Sequence, residues 1–248
     1  MSDSPSIKEI FTFQKSPTKF EDVFFDSHAH IQYPEFKDTQ KVVNDSKDIN
    51  LRGIVCVGID HKTSLEALEK HKSYPEYIYP TIGNHPYNAD KDFQPIYDLA
   101  HQHKDTIVGI GETGLDYFKN SVDKKTQKES MLNHANLAKE LDLPIILHLR
   151  ELDDCWHDAW EILKKANYPK AIFHCFTGNL DQAKEVWAHG YKTSFSLLVT
   201  YPRNSELKSV MELTPIQNLL IETDSPYLPP QALRGKINSP HYLKFLKK

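Results

Sequence analysis

The sequence predicts an α/β fold, a single-domain (β/α)8 TIM barrel. Three observations lead there. Short apolar runs alternate with longer amphipathic stretches from about Val23 to the end of the chain. Eight such runs in 248 residues match the length that eight βα units fill. The first run leads into "DSHAH", where an open doubly wound sheet normally carries a Gly-rich phosphate loop.

In order, the strand-like runs are "VFFDSH" (23–28), "LRGIVCVG" (51–58), "YIYPTIG" (77–83), "TIVGIGE" (106–112), "LPIILHL" (143–149), "KAIFHCF" (170–176), "YKTSFS" (191–196) and "NLLIETD" (218–224). They are rich in β-branched and aromatic residues, as strands covered on both faces are. Helices are expected between them at 38–50, 62–73, 91–104, 123–142, 153–166, 179–189 and 204–213. The clearest is 123–142. There Met131, Leu132, Ala135, Leu137, Ala138 and Leu141 form one apolar stripe, while Lys124, Lys125, Lys128 and Glu129 face away from it. Pro144 then stops the helix, because it can neither donate a backbone hydrogen bond nor fit the preceding turn. Residues 1–22 read as an N-terminal extension lying loosely over the barrel floor, and 23–248 as the barrel domain. The tail "SPHYLKFLKK" has room for a short closing helix.

Composition narrows the function. A formal net charge of −4 argues against holding nucleic acid through a broad basic face, so any polyanionic substrate must be bound locally. There is no apolar run long enough to span a bilayer, and the opening residues lack a signal-peptide core. Three scattered cysteines are too few for a disulfide framework, and a reducing, cytoplasmic location is expected.

Barrel chemistry gathers at the C-terminal strand ends. Strand one ends in Asp26, His28 and His30, strand four in Glu112, strand five in His148, strand six in His174 and strand eight in Asp224. One imidazole or carboxylate at a strand end is more often a hydrogen-bonded rim residue than a ligand. Five strands delivering such groups to one rim are hard to explain without a cation, since unpaired buried polar groups are costly. Four imidazoles with two carboxylates suit Zn²⁺ best. Mn²⁺, Co²⁺ and Fe²⁺ are compatible, and Mg²⁺ prefers oxygen ligands. Six ligands are the number expected for two divalent ions sharing one group. The expected arrangement is His28, His30 and Asp224 on one ion, His148 and His174 on the other, and Glu112 bridging. Two dications against two carboxylates then leave the site net positive.

The ordered motifs "DSHAH", "GNHPY", "GETGLDY", "LHLR", "HCFTG", "ETDSPYLPP" and "RGKINSP" resemble the TatD family of metal-dependent deoxyribonucleases, within the amidohydrolase superfamily. The resemblance runs from about Phe24 to Pro240. It implies the same six metal ligands and a 3′→5′ exonuclease or DNA hydrolase activity. The chain departs from the family at Asn84 and Tyr87, where "G-hydrophobic-HPH" is commoner, and at Ser239, where an acidic residue is common; none of these is a ligand.

On that reading two ions activate a water and stabilise the phosphate, and Asp224 is the general base. His85 and Arg150 are expected to hold phosphate oxygens. Asp26 would orient a ligand imidazole from one pleat deeper, and Asp116 and Tyr117 would line the cleft. Tyr87, Tyr117, Phe176 and Tyr227 are candidates to stack splayed bases. Cys175 is expected to point away from the site into the core. DNA is the expected partner, with no obligate protein partner evident. The rival readings are a metal-dependent amide or ester hydrolase of small molecules and, with less support, a catalytically silent scaffold.

Overall fold

The computed structural model describes residues 4–118, 122–167 and 169–246. Eight parallel strands form one sheet in which each pairs with the next in sequence: β1 (Asp26–Ala29), β2 (Ile54–Val57), β3 (Ile78–Ile82), β4 (Gly109–Asp116), β5 (Ile145–Arg150), β6 (Ala171–Phe173), β7 (Lys192–Phe195) and β8 (Leu219–Ile221). A parallel bridge between Ala29 and Ser225 brings the ends of the sheet together into a nearly closed TIM barrel. At that junction the Asp224 N–H donates to the His28 carbonyl at 2.9 Å, and the His30 N–H to the Ser225 carbonyl at 2.8 Å.

Helix α1 (Ile7–Phe11) precedes the barrel. The crossovers then carry α2 (Thr39–Asp48), α3 (His61–Ser73), α4 (Gln94–Gln102), α5 (Lys124–Glu140), α6 (Leu152–Lys165), α7 (Leu180–Ala188) and α8 (Ser205–Leu213). Local chemistry fixes their starts: Asp38, Asp60, Asp123 and Asn179 each accept from the backbone N–H three residues on, at 2.8–3.0 Å. After β8 the expected closing helix is a 3-10 segment, Pro240–Leu246. Among the described residues no helix is long and apolar enough to cross a membrane.

Alternation along the strands sorts the apolar residues into two layers. Ile54, Ile78, Ile110, Leu147 and Phe173 pack outward against the helices. Val55, Val57, Ile146, Ile172 and Leu220 face inward, joined by Val108 from just before β4. The inner layer is completed by Ile7, Ile10 and Phe11 of α1, of which Ile10 and Phe11 are fully buried. The loose packing expected of the N-terminal segment is therefore incorrect. Its short helix, started by a reciprocal Ser6–Glu9 capping box, plugs one end of the barrel.

Three strands end well away from the expected residue, and all three differences shape the other end. β8 stops at Ile221, three residues before Asp224. β4 runs on to Asp116, not to Glu112, because two glycines let it press against β5. Gly111 and Gly114 have φ of +135° and +144°, and a Cβ on Gly114 would lie 2.1 Å from the His148 carbonyl oxygen. β6 stops at Phe173, and the chain then turns with Cys175 in the left-handed region at φ 42°.

Candidate metal centre

All six sequence-predicted ligands converge at the C-terminal mouth of the barrel, around the carboxylate of Glu112. Its two oxygens face different partners. Oε2 lies 3.3 Å from His28 Nε2 and 3.7 Å from His30 Nε2. Asp224 Oδ1 completes that group at 3.8 Å from His28 Nε2 and 3.5 Å from His30 Nε2. Oε1 lies 2.8 Å from His148 Nδ1 and 3.0 Å from His174 Nε2. His85 Nε2 joins this second group at 3.6 Å.

The ring nitrogens turned away from Glu112 have their own partners. His30 Nδ1 sits 2.9 Å from the Val57 carbonyl, so it carries the proton and leaves Nε2 as a lone-pair donor. His174 Nδ1 faces Glu222 Oε1 at 3.1 Å, and His148 Nε2 faces Asp116 Oδ2 at 3.3 Å. Such outer carboxylates fix ring orientation and raise ligand basicity. His28 is different: it is fully buried and neither ring nitrogen has a hydrogen-bond partner. An orphaned imidazole beside two carboxylates is what a divalent cation would satisfy. The spacings also fit, because metal–ligand bonds of about 2.0–2.2 Å set neighbouring ligand atoms roughly 3–3.5 Å apart.

The electrostatics favour positive charge here. Burial pushes the Glu112 carboxyl up, but His174, His85 and His28 outweigh it and hold the group well below the usual carboxylate range. Asp224 is likewise lowered despite burial, by His30, His28 and His174 beside it. His174 is raised well above its ordinary value because Glu112 and Glu222 overcome its burial. His85 is driven down to about 3, first by burial and then by His148. Its Nδ1 accepts the Tyr87 N–H at 3.1 Å, which turns Nε2 toward Glu112 as the protonated nitrogen.

Several expectations about neighbouring residues need correction. Asp26 does not touch a ligand ring. Its carboxyl accepts from the N–H of Thr223 at 2.9 Å and from that residue's hydroxyl, tying β1 to the segment carrying Asp224, and burial raises its pKa to about 8. Cys175 does not point into the core. Because the chain leaves β6 before it, strand alternation no longer applies, and it lines a cleft with His148, Arg150, His174, Thr177, Leu198 and Asp224. Phe176 is not available at the rim, and Lys124 Nζ lies 4.1 Å over the half-buried Tyr117 ring. The Tyr117 hydroxyl donates to Asp158 at 2.7 Å, and Phe176 is buried. Arg150 is half exposed in the cleft wall, with Nη1 4.0 Å from Asp116 Oδ2.

Glu222 escaped the sequence reading, although its spacing of two from Asp224 on a strand-like run was a usable sign. With Asp116 and Glu222 beside Glu112 and Asp224, four carboxylates face the cluster. Two dications would then be balanced, not left in excess as expected.

The chain matches the family described as TatD related DNase over residues 25–246. It is 38% identical over 231 residues to the uncharacterized metal-dependent hydrolase YabD of Bacillus subtilis (strain 168), covering 90% of this chain and 88% of that protein. It is 35% identical over 221 residues to the 3′-5′ ssDNA/RNA exonuclease TatD of Yersinia pseudotuberculosis serotype O:3 (strain YPIII), covering 86% and 83% of the two chains. Among solved structures, the TatD homolog YjjV of Escherichia coli K12 superposes with a TM-score of 0.79 at 28% identity, covering 88% of this chain and 85% of that one. The chain belongs to the TatD related DNase family of metal-dependent hydrolases.

Proposed function

We propose that the protein is a metal-dependent deoxyribonuclease that hydrolyses DNA phosphodiester bonds from the 3′ end. The observation that carries this reading is the division of Glu112, with Oε2 turned to His28 and His30 and Oε1 to His148 and His174. Such a division would let one carboxylate serve two divalent ions, held by His28, His30 and Asp224 and by His148 and His174, and the imidazole-rich set would suit Zn²⁺ best. The relative named a 3′-5′ ssDNA/RNA exonuclease supports the choice of substrate.

Bound ions of this kind act as Lewis acids on phosphate oxygens and make a water acidic enough to attack at neutral pH. The chain's own groups do the rest. Asp224 Oδ1 faces His28 and His30 while its side chain keeps 16% exposure to the cleft, so it takes the proton of the attacking water. The His85 Nε2–H and the Arg150 guanidinium donate to nonbridging oxygens and set the phosphate's orientation. Glu222 and Asp116 hold the His174 and His148 rings. Its three free cysteines support a reducing, cytoplasmic location.

The test is metal analysis coupled to digestion of a 3′-labelled oligonucleotide by the wild type, Glu112→Ala and Asp224→Ala. Two ions per wild-type chain are expected, with activity falling by at least about a hundredfold in Asp224→Ala. A fully active Glu112→Ala enzyme would rule out the shared carboxylate. Cleavage of amides or lactones in preference to DNA would replace this reading with the small-molecule hydrolase.

A further inference from the structure

Three of the large side chains left exposed on this surface are aromatic rings at the mouth: Tyr87, Phe118 and Tyr227, exposed by 45%, 58% and 54%. They divide around Glu112 as the imidazoles do. Tyr227 lies edge-on to His30, with ring centroids 6.3 Å apart, and is braced by Tyr33, whose ring stacks on His30 at 5.0 Å. Tyr87 stands 4.6 Å from His85. Phe118 carries the Arg150 guanidinium 4.4 Å above its ring, and Arg150 reaches Asp116, which faces His148. One aromatic group therefore adjoins the Oε2 side of Glu112 and the other the Oε1 side.

Resting on the nuclease reading, we propose that Tyr227 and Phe118 are base-stacking platforms that hold consecutive nucleobases of a single strand on either side of the phosphate being cut. Every base presents a π-face, so such platforms bind a strand without reading its sequence. A duplex end keeps its bases stacked on one another and cannot offer them to two separated rings, which selects unpaired ends. The charge of the chain points the same way. At a net charge of −4 it has no overall excess of basic residues to hold the backbone, and Arg150 serves at once as phosphate donor and as the cation against one platform.

The test uses Glu112→Gln protein, to suppress turnover, and single-stranded oligonucleotides carrying 2-aminopurine near the 3′ end. Phe118→Ala and Tyr227→Ala, each in that background, are compared by fluorescence quenching and Kd. An abasic strand of the same length is the control, and Phe118→Trp and Tyr227→Phe are the conservative variants. Each alanine should weaken binding of the base-bearing strand about tenfold. The loss should be under about twofold on the abasic strand, and the conservative variants should restore binding. Equal losses on both strands, or none on either, would overturn the platforms. A wild-type enzyme that cleaves oligonucleotides while the alanine variants bind normally overturns the platforms alone. A wild type loaded with metal that cleaves neither oligonucleotides nor methyl p-nitrophenyl phosphate overturns the nuclease reading and this inference with it.

Discussion

His134, on α5 and outside the candidate metal site, makes the barrel acid-sensitive in a way that can be isolated. Its Nδ1 sits 2.7 Å from the Ser130 carbonyl and must carry the proton, while Nε2 accepts the Asn84 N–H at 2.9 Å. Burial lowers its pKa to about 4, against about 6.5 in the unfolded chain. The unfolded state therefore takes up a proton first as pH falls, and stability is lost between about pH 6.5 and pH 4. For these two values, linkage gives a loss of about 2 kcal/mol between pH 7 and pH 5. His134→Leu abolishes that titration but strands the Asn84 N–H, at a cost of about 1–3 kcal/mol at pH 7. Urea unfolding of both proteins at pH 7 and pH 5 should show the gap between them closing by about 2 kcal/mol at the lower pH. Other titrating groups, including the imidazoles and carboxylates clustered at the mouth, cancel in this difference. A gap of the same size at both pH values would refute a neutral, buried His134.

Two other variants probe what surrounds the site. Glu222→Gln keeps the side-chain volume but removes the charge facing His174 Nδ1 and the Cys175 N–H, so zinc affinity measured by calorimetric titration should fall about 10–100-fold. Unchanged affinity would show that Glu222 does not tune His174. Phe11→Ala empties the apolar floor of the barrel and should lower unfolding stability by about 3–5 kcal/mol; a loss below about 1 kcal/mol would mean the short N-terminal helix is not part of the core.

The residues that the sequence marked most clearly are those whose position depends on a single local rule. Helix α5 was legible from its apolar stripe and Pro144, and it spans Lys124–Glu140 with Asp123 as its cap, inside the expected 123–142. The six cluster residues were legible because each follows an apolar run, and the barrel brings such positions to one rim. Legibility failed where a backbone irregularity intervened. Gly111 and Gly114 carry β4 on to Asp116, and the left-handed Cys175 turns a thiol assigned to the core toward the cleft. The N-terminal plug was hidden for another reason. Five helical residues show too little periodicity to reveal an amphipathic face, so the burial of Ile7, Ile10 and Phe11 emerges only in three dimensions. Which oxygen of Glu112 faces which imidazole is a matter of side-chain geometry, on which strand order is silent.

The last joint of the ring and the chemistry share the same residues. Asp224 and Ser225 are stitched by their backbones to His28 and His30, while the side chains of three of these four converge on the candidate metal site. A chain that has not brought its final strand home has no complete cluster, so on the proposed metal reading tight cation uptake would report hoop closure as much as catalytic competence. Reciprocally, a free ion at a thousand times its dissociation constant favours the closed hoop by about 4 kcal/mol. On that reading a bound cation would also be a latch, and chelation should loosen the architecture along with the activity.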